Sequence, residues 1–147
     1  MRKGAWGRTP PGGEGVRRYV IDAGILFLHF IDDEGVRPYL DEIIQGKAQA
    51  FISDVNLAEY YYKTCEKLGK GIADLRYHQI RDSDIISVAT DETLTLKAGE
   101  KKFRYRGTLS LADCFALALS ELKEAILLTT DSELAKVREV SVKHFSV

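Results

Sequence analysis

The sequence predicts a three-layer α/β/α sandwich built around a central, mainly parallel sheet. Two observations lead there. Short, almost wholly apolar runs such as Tyr19-Val20-Ile21 and Ala125 to Thr129 alternate along the chain with segments of helical periodicity. Strands without apolar/polar alternation belong to sheets covered on both faces. The segment from Ser110 to Leu122 is apolar on nearly all sides, through Leu111, Ala112, Phe115, Leu117, Ala118, Leu119 and Leu122, as expected of a helix enclosed by the rest of the molecule.

The elements follow in order. Tyr19-Val20-Ile21 reads as a short strand, ended by Asp22 and Gly24. Ile25, Leu26, Leu28, Phe30 and Ile31 then come too densely for a surface helix, so a mostly buried one is expected, with His29 packed in it. After the polar break Asp32-Asp33-Glu34-Gly35, Pro38 suits the first turn of a helix to about Ile44, stopped by Gly46. Ala48 to Ile52 is a second strand. Ser53 or Asp54 caps a long helix whose core face is expected to be Val55, Leu57, Ala58, Tyr61, Tyr62, Cys65 and Leu68, ending at Gly69. A helix from Ile72 to Arg81, a strand from Asp84 to Val88 and a short helix from Asp91 to about Lys97 come next. Ala98 to Gly107 is expected to be a polar, basic connection. The buried helix from Ser110 and a fourth strand, Ala125 to Thr129, precede a helix at Ser132–Arg138 and a closing strand at Ser141–Val147.

With 147 residues, 45% hydrophobic and 29% charged, the chain suits one domain with its own core, expected over residues 17–147. Residues 1–16 carry Pro10-Pro11 and a run of glycines; so little apolar surface cannot offset backbone ordering, and a flexible arm is expected. Those glycines precede the first strand and no G-K-S/T occurs, which argues against a phosphate-cradling loop. The net charge of −1 and a pI near 6.3 exert no global pull on polyanions, so any such partner must meet a local patch. Cys65 and Cys114 lack C-x-x-C spacing and read as reduced core thiols of an intracellular protein. The run Ile25 to Ile31 falls far short of the roughly 20 residues that cross a bilayer, and nothing near Met1 resembles a signal h-region. A cytoplasmic protein with no membrane partner is expected.

Four acids recur at one kind of place. Asp22 follows the first strand, Glu59 lies two turns into the helix after the second, Asp113 is one turn into the buried helix, and Asp131 follows the fourth strand. In an open α/β sheet the carboxyl ends of the strands form the ligand crevice. Several like charges fixed there cost several kcal/mol unless a cation neutralises them. The suitable cation is hard and oxygen-liking, Mg²⁺ or Mn²⁺, which can lower the pKa of a bound water and polarise a phosphoryl group. Each acid also has a structural reading. Asp22 and Asp131 could cap helices, Ser110-Leu111-Ala112-Asp113 has capping-box spacing, and Glu59 could face solvent. Capping alone does not explain why an acid follows both the first and the fourth strand and also opens the most apolar helix.

From about Tyr19 to Val147 the chain resembles the PIN-domain family, metal-dependent ribonucleases that include the VapC-like toxins of toxin–antitoxin pairs. The resemblance rests on Y-V-I-D-A at 19–23, N-L-A-E at 56–59, L-S-L-A-D-C-F-A-L-A at 109–118 and L-L-T-T-D-S-E-L at 127–134, the last two being the most specific. It implies a PIN-like fold and makes Asp22, Glu59, Asp113 and Asp131 the catalytic acids that hold Mg²⁺ or Mn²⁺. Ser110 and Thr129 would be accessory hydroxyls, capping the helix or reaching toward metal and phosphate. The family often has Ser, Thr or Asn within two residues after the first Asp, where this chain has Ala23 and Gly24. Leu117 supplies no further acid a turn after Asp113. Both departures bear on whether a second metal is held.

The function implied is a Mg²⁺- or Mn²⁺-dependent endoribonuclease cutting single-stranded RNA, with an antitoxin peptide as partner. The alternative is a catalytically degenerate PIN-like module that binds RNA or a protein. Lys97, Lys101, Lys102, Arg104 and Arg106, with Phe103 and Tyr105 between them, form the only basic and aromatic cluster. Lys101, Lys102 and Arg104 are its candidate phosphate contacts, against a reading of the same segment as a solvated loop or a cation-ended helix. The Tyr60-Tyr61-Tyr62 run suggests either a homodimer face or intramolecular packing. His29, His78 and His144 show no zinc spacing, and no G-x-S-x-G nucleophile elbow exists. Position 24 is glycine, which removes the D-x-D of a haloacid-dehalogenase site.

Overall fold

The computed structural model describes residues 16–147; apart from Val16, the arm expected over residues 1–16 lies outside the described residues. The strands are β1 (Arg17–Ile21), β2 (Ala48–Ser53), β3 (Ile85–Val88), β4 (Ile126–Thr129) and β5 (Val142–His144). They form one five-stranded sheet in the order β3-β2-β1-β4-β5, and every pairing is parallel. Around it lie α1 (Ala23–Phe30), α2 (Arg37–Ile44), α3 (Asp54–Leu68), α4 (Lys70–Arg81), α5 (Glu92–Arg104) and α6 (Leu111–Lys123).

β1 shows why the layers form. Its side chains alternate faces: Tyr19 and Ile21 enter a core with Ile25, Leu26, Leu40, Leu57, Tyr60 and Ile80 from α1 to α4. Val20, on the opposite face, packs with Leu94, Ala98, Phe115, Leu117 and Leu119 from α5 and α6. Local chemistry sets the helix starts. Ser53 Oγ accepts from the Asn56 amide at 3.0 Å, Asp91 Oδ1 from the Leu94 amide at 2.8 Å, and Pro38 occupies the first turn of α2. Gly46 and Gly69 hold φ of +77° and +90° where helices end, a conformation that costs other residues far more.

Five expectations need correction. Helix α5 does not stop near Lys97 but runs on to Arg104, because Leu94, Ala98 and Lys101 form one buried stripe and the Lys101 charge finds partners beneath it. The expected helix at Ser132–Arg138 is only a 3₁₀ turn, Leu134–Lys136, with Leu134 alone buried, and the closing strand is limited to Val142–His144. The core face of α3 is Asn56, Leu57, Tyr60 and Thr64: hydrogen bonds let Asn56 and Thr64 be buried, while Ala58 and Leu68 face out. His29 is exposed, its ring against Phe30. Of the tyrosine run, Tyr60 is buried and Tyr61 donates to Asp74; both pack within the chain, and only Tyr62, 51% accessible, faces outward. No helix among the described residues is long and apolar enough to cross a membrane.

Candidate functional site

From β1 the chain moves outward to β2 and β3, then returns to place β4 on the other flank of β1. The winding therefore reverses between β1 and β4, and at such a reversal the carboxyl ends of the strands open into a crevice. Asp22 follows β1 there, and Asp131 lies two residues beyond the end of β4.

Asp22 is only 6% exposed. Its carboxylate caps α1 by accepting from the Ile25 amide at 3.2 Å, and it also accepts from the Thr129 hydroxyl and the Thr130 backbone. Thr129 Oγ in turn accepts from the Asp131 amide at 3.0 Å, so this one hydroxyl ties together the residues that follow β1 and β4. Asp131 Oδ1 accepts from the Glu133 and Leu134 amides at 2.8 and 2.9 Å. A Cβ on Gly24 would meet Thr130 Oγ1 at 2.0 Å; glycine lets the turn after β4 close onto α1.

Asp113 comes from the other face of the sheet. It forms the capping box of α6, accepting from the Ser110 amide at 3.1 Å while its own amide donates to Ser110 Oγ at 3.1 Å. Glu59, on α3, pairs with Lys63 at 3.1 Å. Asn56 joins the two helices: its Oδ1 accepts from Ser53 Oγ at 2.5 Å and its Nδ2 donates to the carbonyl of Ala112, next to Asp113, at 3.0 Å.

These carboxylates feel one another. Burial pushes Asp22 up to about 6 despite the hydrogen bonds from Thr129 and Ile25, and the charge of Asp113 adds to the rise. Burial likewise raises Asp113, with further repulsion from Asp131 and Glu59. Asp113 is thus the common neighbour of the other three. Among the described residues no three acidic, histidine or cysteine side chains stand close enough to hold a metal ion, and Asp22, Asp113 and Asp131 each accept a hydrogen bond from a backbone amide. Capping and electrostatic clustering occur in the same residues.

The expected substrate contacts divide. Ser110 is exposed at the start of α6 and serves as its cap. Thr129 is fully buried, which corrects its reading as a substrate contact: it positions Asp22 and the turn at Asp131. Lys101 also needs correction. It is only 3% exposed and lies between Glu121 at 3.0 Å and Glu139 at 3.3 Å. Lys102 donates to the Leu109 carbonyl at 2.7 Å and Arg104 pairs with Glu139 at 3.3 Å. This segment is a helix packed on α6, so much of its charge is committed internally. Phe103 remains 71% exposed, with the Arg106 guanidinium 4.8 Å from its ring centre.

Sequence reasoning passed over Asn56, Lys63 and Thr130. Asn56 sits in the quoted N-L-A-E segment but reads there as a first-turn residue of no special reach. Lys63 carries a usable signal, a cation four residues after Glu59. Nothing local marks Thr130, whose contact with Gly24 is purely tertiary.

A model of the PIN domain matches residues 19–140. The chain belongs to the PIN domain family. Solved PIN-like structures superpose over most of it: VapBC2 from Rickettsia felis bound to a DNA fragment from its promoter has a TM-score of 0.71 at 15% identity, covering 87% of this chain and 98% of that one. A toxin–antitoxin complex from Klebsiella pneumoniae gives 0.65 at 16% identity over 88% and 99%. VapC20 from Mycobacterium tuberculosis, a sarcin–ricin loop cleaving toxin, gives 0.64 at 17% identity over 84% and 98%. Among curated proteins none matches the sequence significantly. The match to the PIN domain runs from β1 to beyond the 3₁₀ turn and so includes Asp22, Glu59, Asp113 and Asp131.

Proposed function

We propose that the protein is a metal-dependent endoribonuclease of the VapC toxin type, with Asp22, Glu59, Asp113 and Asp131 as its acids. Membership of the PIN domain family and the likeness to VapC structures support a nuclease. The observation that supports the reading is that Asp113 is influenced by Asp22, Asp131 and Glu59 at the switch point, while among the described residues none of Asp22, Asp113 and Asp131 forms an ion pair. The donor set fits Mg²⁺ or Mn²⁺, being all oxygen and partly buried. Asp22, Asp113 and Asp131 would hold the ion, with Glu59 beside Asp113. When bound, such an ion supplies an activated water and polarises a phosphoryl oxygen.

The chain's own residues do the rest. Thr129 fixes the Asp22 carboxylate and the turn that presents Asp131. Ser110 fixes Asp113, whose second oxygen is left for the crevice. Held in this way, the acids need no reorganisation when substrate arrives, which is where preorganised sites gain most. Arg106 with exposed Phe103 offers stacking and charge to a single-stranded RNA. An antitoxin peptide is the proposed partner, supported by the likeness to toxin–antitoxin complexes.

The test is cleavage of single-stranded RNA with Mg²⁺ or Mn²⁺. EDTA should abolish it, and Asp113→Asn should lower turnover at least about 100-fold, more than a typical outer-sphere change. Activity that survives both rules the mechanism out. The second reading, a non-catalytic module, is favoured by the capping bonds that already engage the acids; it predicts salt-dependent RNA binding without metal-dependent turnover.

A further inference from the structure

Lys102 stands apart from the other cations of α5. Lys97, Lys101 and Arg104 meet Glu121 or Glu139, whereas among the described residues Lys102 pairs with no acid. Its ammonium turns instead into the connection between α5 and α6, where it donates to the Leu109 carbonyl at 2.7 Å and reaches the Arg106 carbonyl at 3.5 Å. The Leu109 carbonyl belongs to the same peptide group as the Ser110 amide, and that amide donates to Asp113 Oδ2 at 3.1 Å. One rigid plane is therefore held from both sides, by an ammonium at its oxygen and by the Asp113 carboxylate at its N–H. Leu109 itself is anchored by its buried side chain and by its amide, which donates to the Tyr105 carbonyl at 3.0 Å. Neither contact fixes the tilt of the peptide plane that follows it.

We propose that Lys102 is a positioning residue for Asp113: by gripping the Leu109 carbonyl it sets the tilt of the Leu109–Ser110 peptide, and so the direction of the N–H that holds the Asp113 carboxylate. Its effect on rate rests on the nuclease reading above; the chain of hydrogen bonds does not. A carbonyl that accepts from a cation makes its own amide a stronger donor, the reinforcement that linked hydrogen bonds give one another. This role differs from a phosphate contact, which the basic and aromatic segment around Lys102 suggests, because an ammonium engaged by its own backbone acts on the site only through Asp113. It differs too from plain stabilisation of the connection, which would cost stability and leave the rate of folded molecules unchanged.

The experiment uses the full chain as wild type, Lys102→Met and Lys102→Arg. Each is assayed on single-stranded RNA with Mn²⁺ at several salt concentrations, the Ser110 amide is followed in metal-free amide NMR spectra, and thermal unfolding reports the folded fraction. Lys102→Met should move the Ser110 amide proton upfield and lower kcat about 10-fold per folded molecule, the lower end for a lost bond to a charged group, with KM and its salt dependence unchanged. Lys102→Arg, which keeps a cationic donor for the carbonyl, should restore both. A Lys102→Met protein whose KM rises and whose salt slope falls while kcat holds would make Lys102 a phosphate contact and overturn the proposal. An unmoved Ser110 amide, or a wild-type kcat in folded Lys102→Met, overturns it as well and leaves the nuclease reading standing. If the wild type cleaves no RNA, the nuclease reading fails and the Ser110 amide alone decides: a shift that arginine reverses keeps the hold on Asp113, and an unmoved resonance ends it.

Discussion

Two groups of charged side chains follow opposite rules. Where α5 packs on α6, Lys101 meets Glu121 and Glu139, Lys97 meets Glu121 at 2.9 Å, and Tyr105 donates to Glu139 at 2.6 Å. Lys97, ahead of Lys101, holds Glu121 below the usual carboxylate range. Burial alone would raise Glu139, but the Tyr105 hydroxyl and Lys101 bring it below too. At the β1/β4 switch point, burial and repulsion push Asp22 and Asp113 the other way. The first group satisfies its charges within the chain, whereas among the described residues Asp22 and Asp113 form no ion pair. Groups whose charges are disfavoured in a cleft are candidates for function for that reason.

The largest effect that separates the two should come from Lys101→Met. Removing one partner from a buried ionic group leaves uncompensated charge, typically costing about 3–5 kcal/mol; with Lys97 and Arg104 still in place, the lower end is expected by urea denaturation. Turnover per folded molecule should not change. The acid limb of the stability profile should also flatten. Glu121 and Glu139, depressed in the fold, contribute stability that is present above their unfolded pKa and is lost as pH falls through the folded one. A Lys101→Met protein that stays stable but loses RNA cleavage would reverse the assignment and return Lys101 to the substrate path.

Asp22→Asn should do the opposite. An aspartate at about 6 in the fold, against about 3.9 when unfolded, binds its proton more tightly in the native state. Its burial therefore costs nothing below about pH 4, and the cost grows as pH rises toward 6 and stays in force above it. The full penalty is about 3 kcal/mol at 1.4 kcal/mol per unit. Asparagine caps helices about as well as aspartate but receives the Thr129 hydroxyl less well, so a net gain of about 2 kcal/mol at pH 7 is expected, along with loss of RNA cleavage. Thermal unfolding at pH 4 and pH 7 checks it: the gain should be confined to the higher pH.

The same division explains what could be read from the sequence. The first four strands and the buried α6 were legible because each depends on local pattern, β-branched runs and unbroken apolar periodicity, and the positions of the four acids relative to those elements followed with them. The capping box of Ser110 and Asp113 was legible for the same reason. The course of α5 past Lys97 was not, because its buried face includes a lysine whose partners lie 20 and 38 residues further on. The core face of α3 was misread because a hydrophobicity pattern gives no weight to Asn56 and Thr64, which are buried through hydrogen bonds to Ser53, Ala112 and the Tyr60 carbonyl. Gly24 looked like a strand terminator, whereas its missing side chain makes room for Thr130 across the switch point.

Asn56 lies between the two kinds of group and should give the smallest effect, in both measurements at once. Its amide spans from the cap of α3 to the carbonyl beside Asp113, so it joins the helices that carry Glu59 and Asp113 without itself bearing charge. Asn56→Ala removes a buried bond and leaves Ser53 Oγ without its acceptor, worth about 1 kcal/mol in urea denaturation. If the link also sets the spacing of the two acids, turnover should fall several-fold while a stability-matched core variant such as Ile80→Val keeps its rate. Equal rates in the two variants would mean that the spacing is fixed by α6 packing alone, and that Asn56 belongs with Lys101 as a purely stabilising contact.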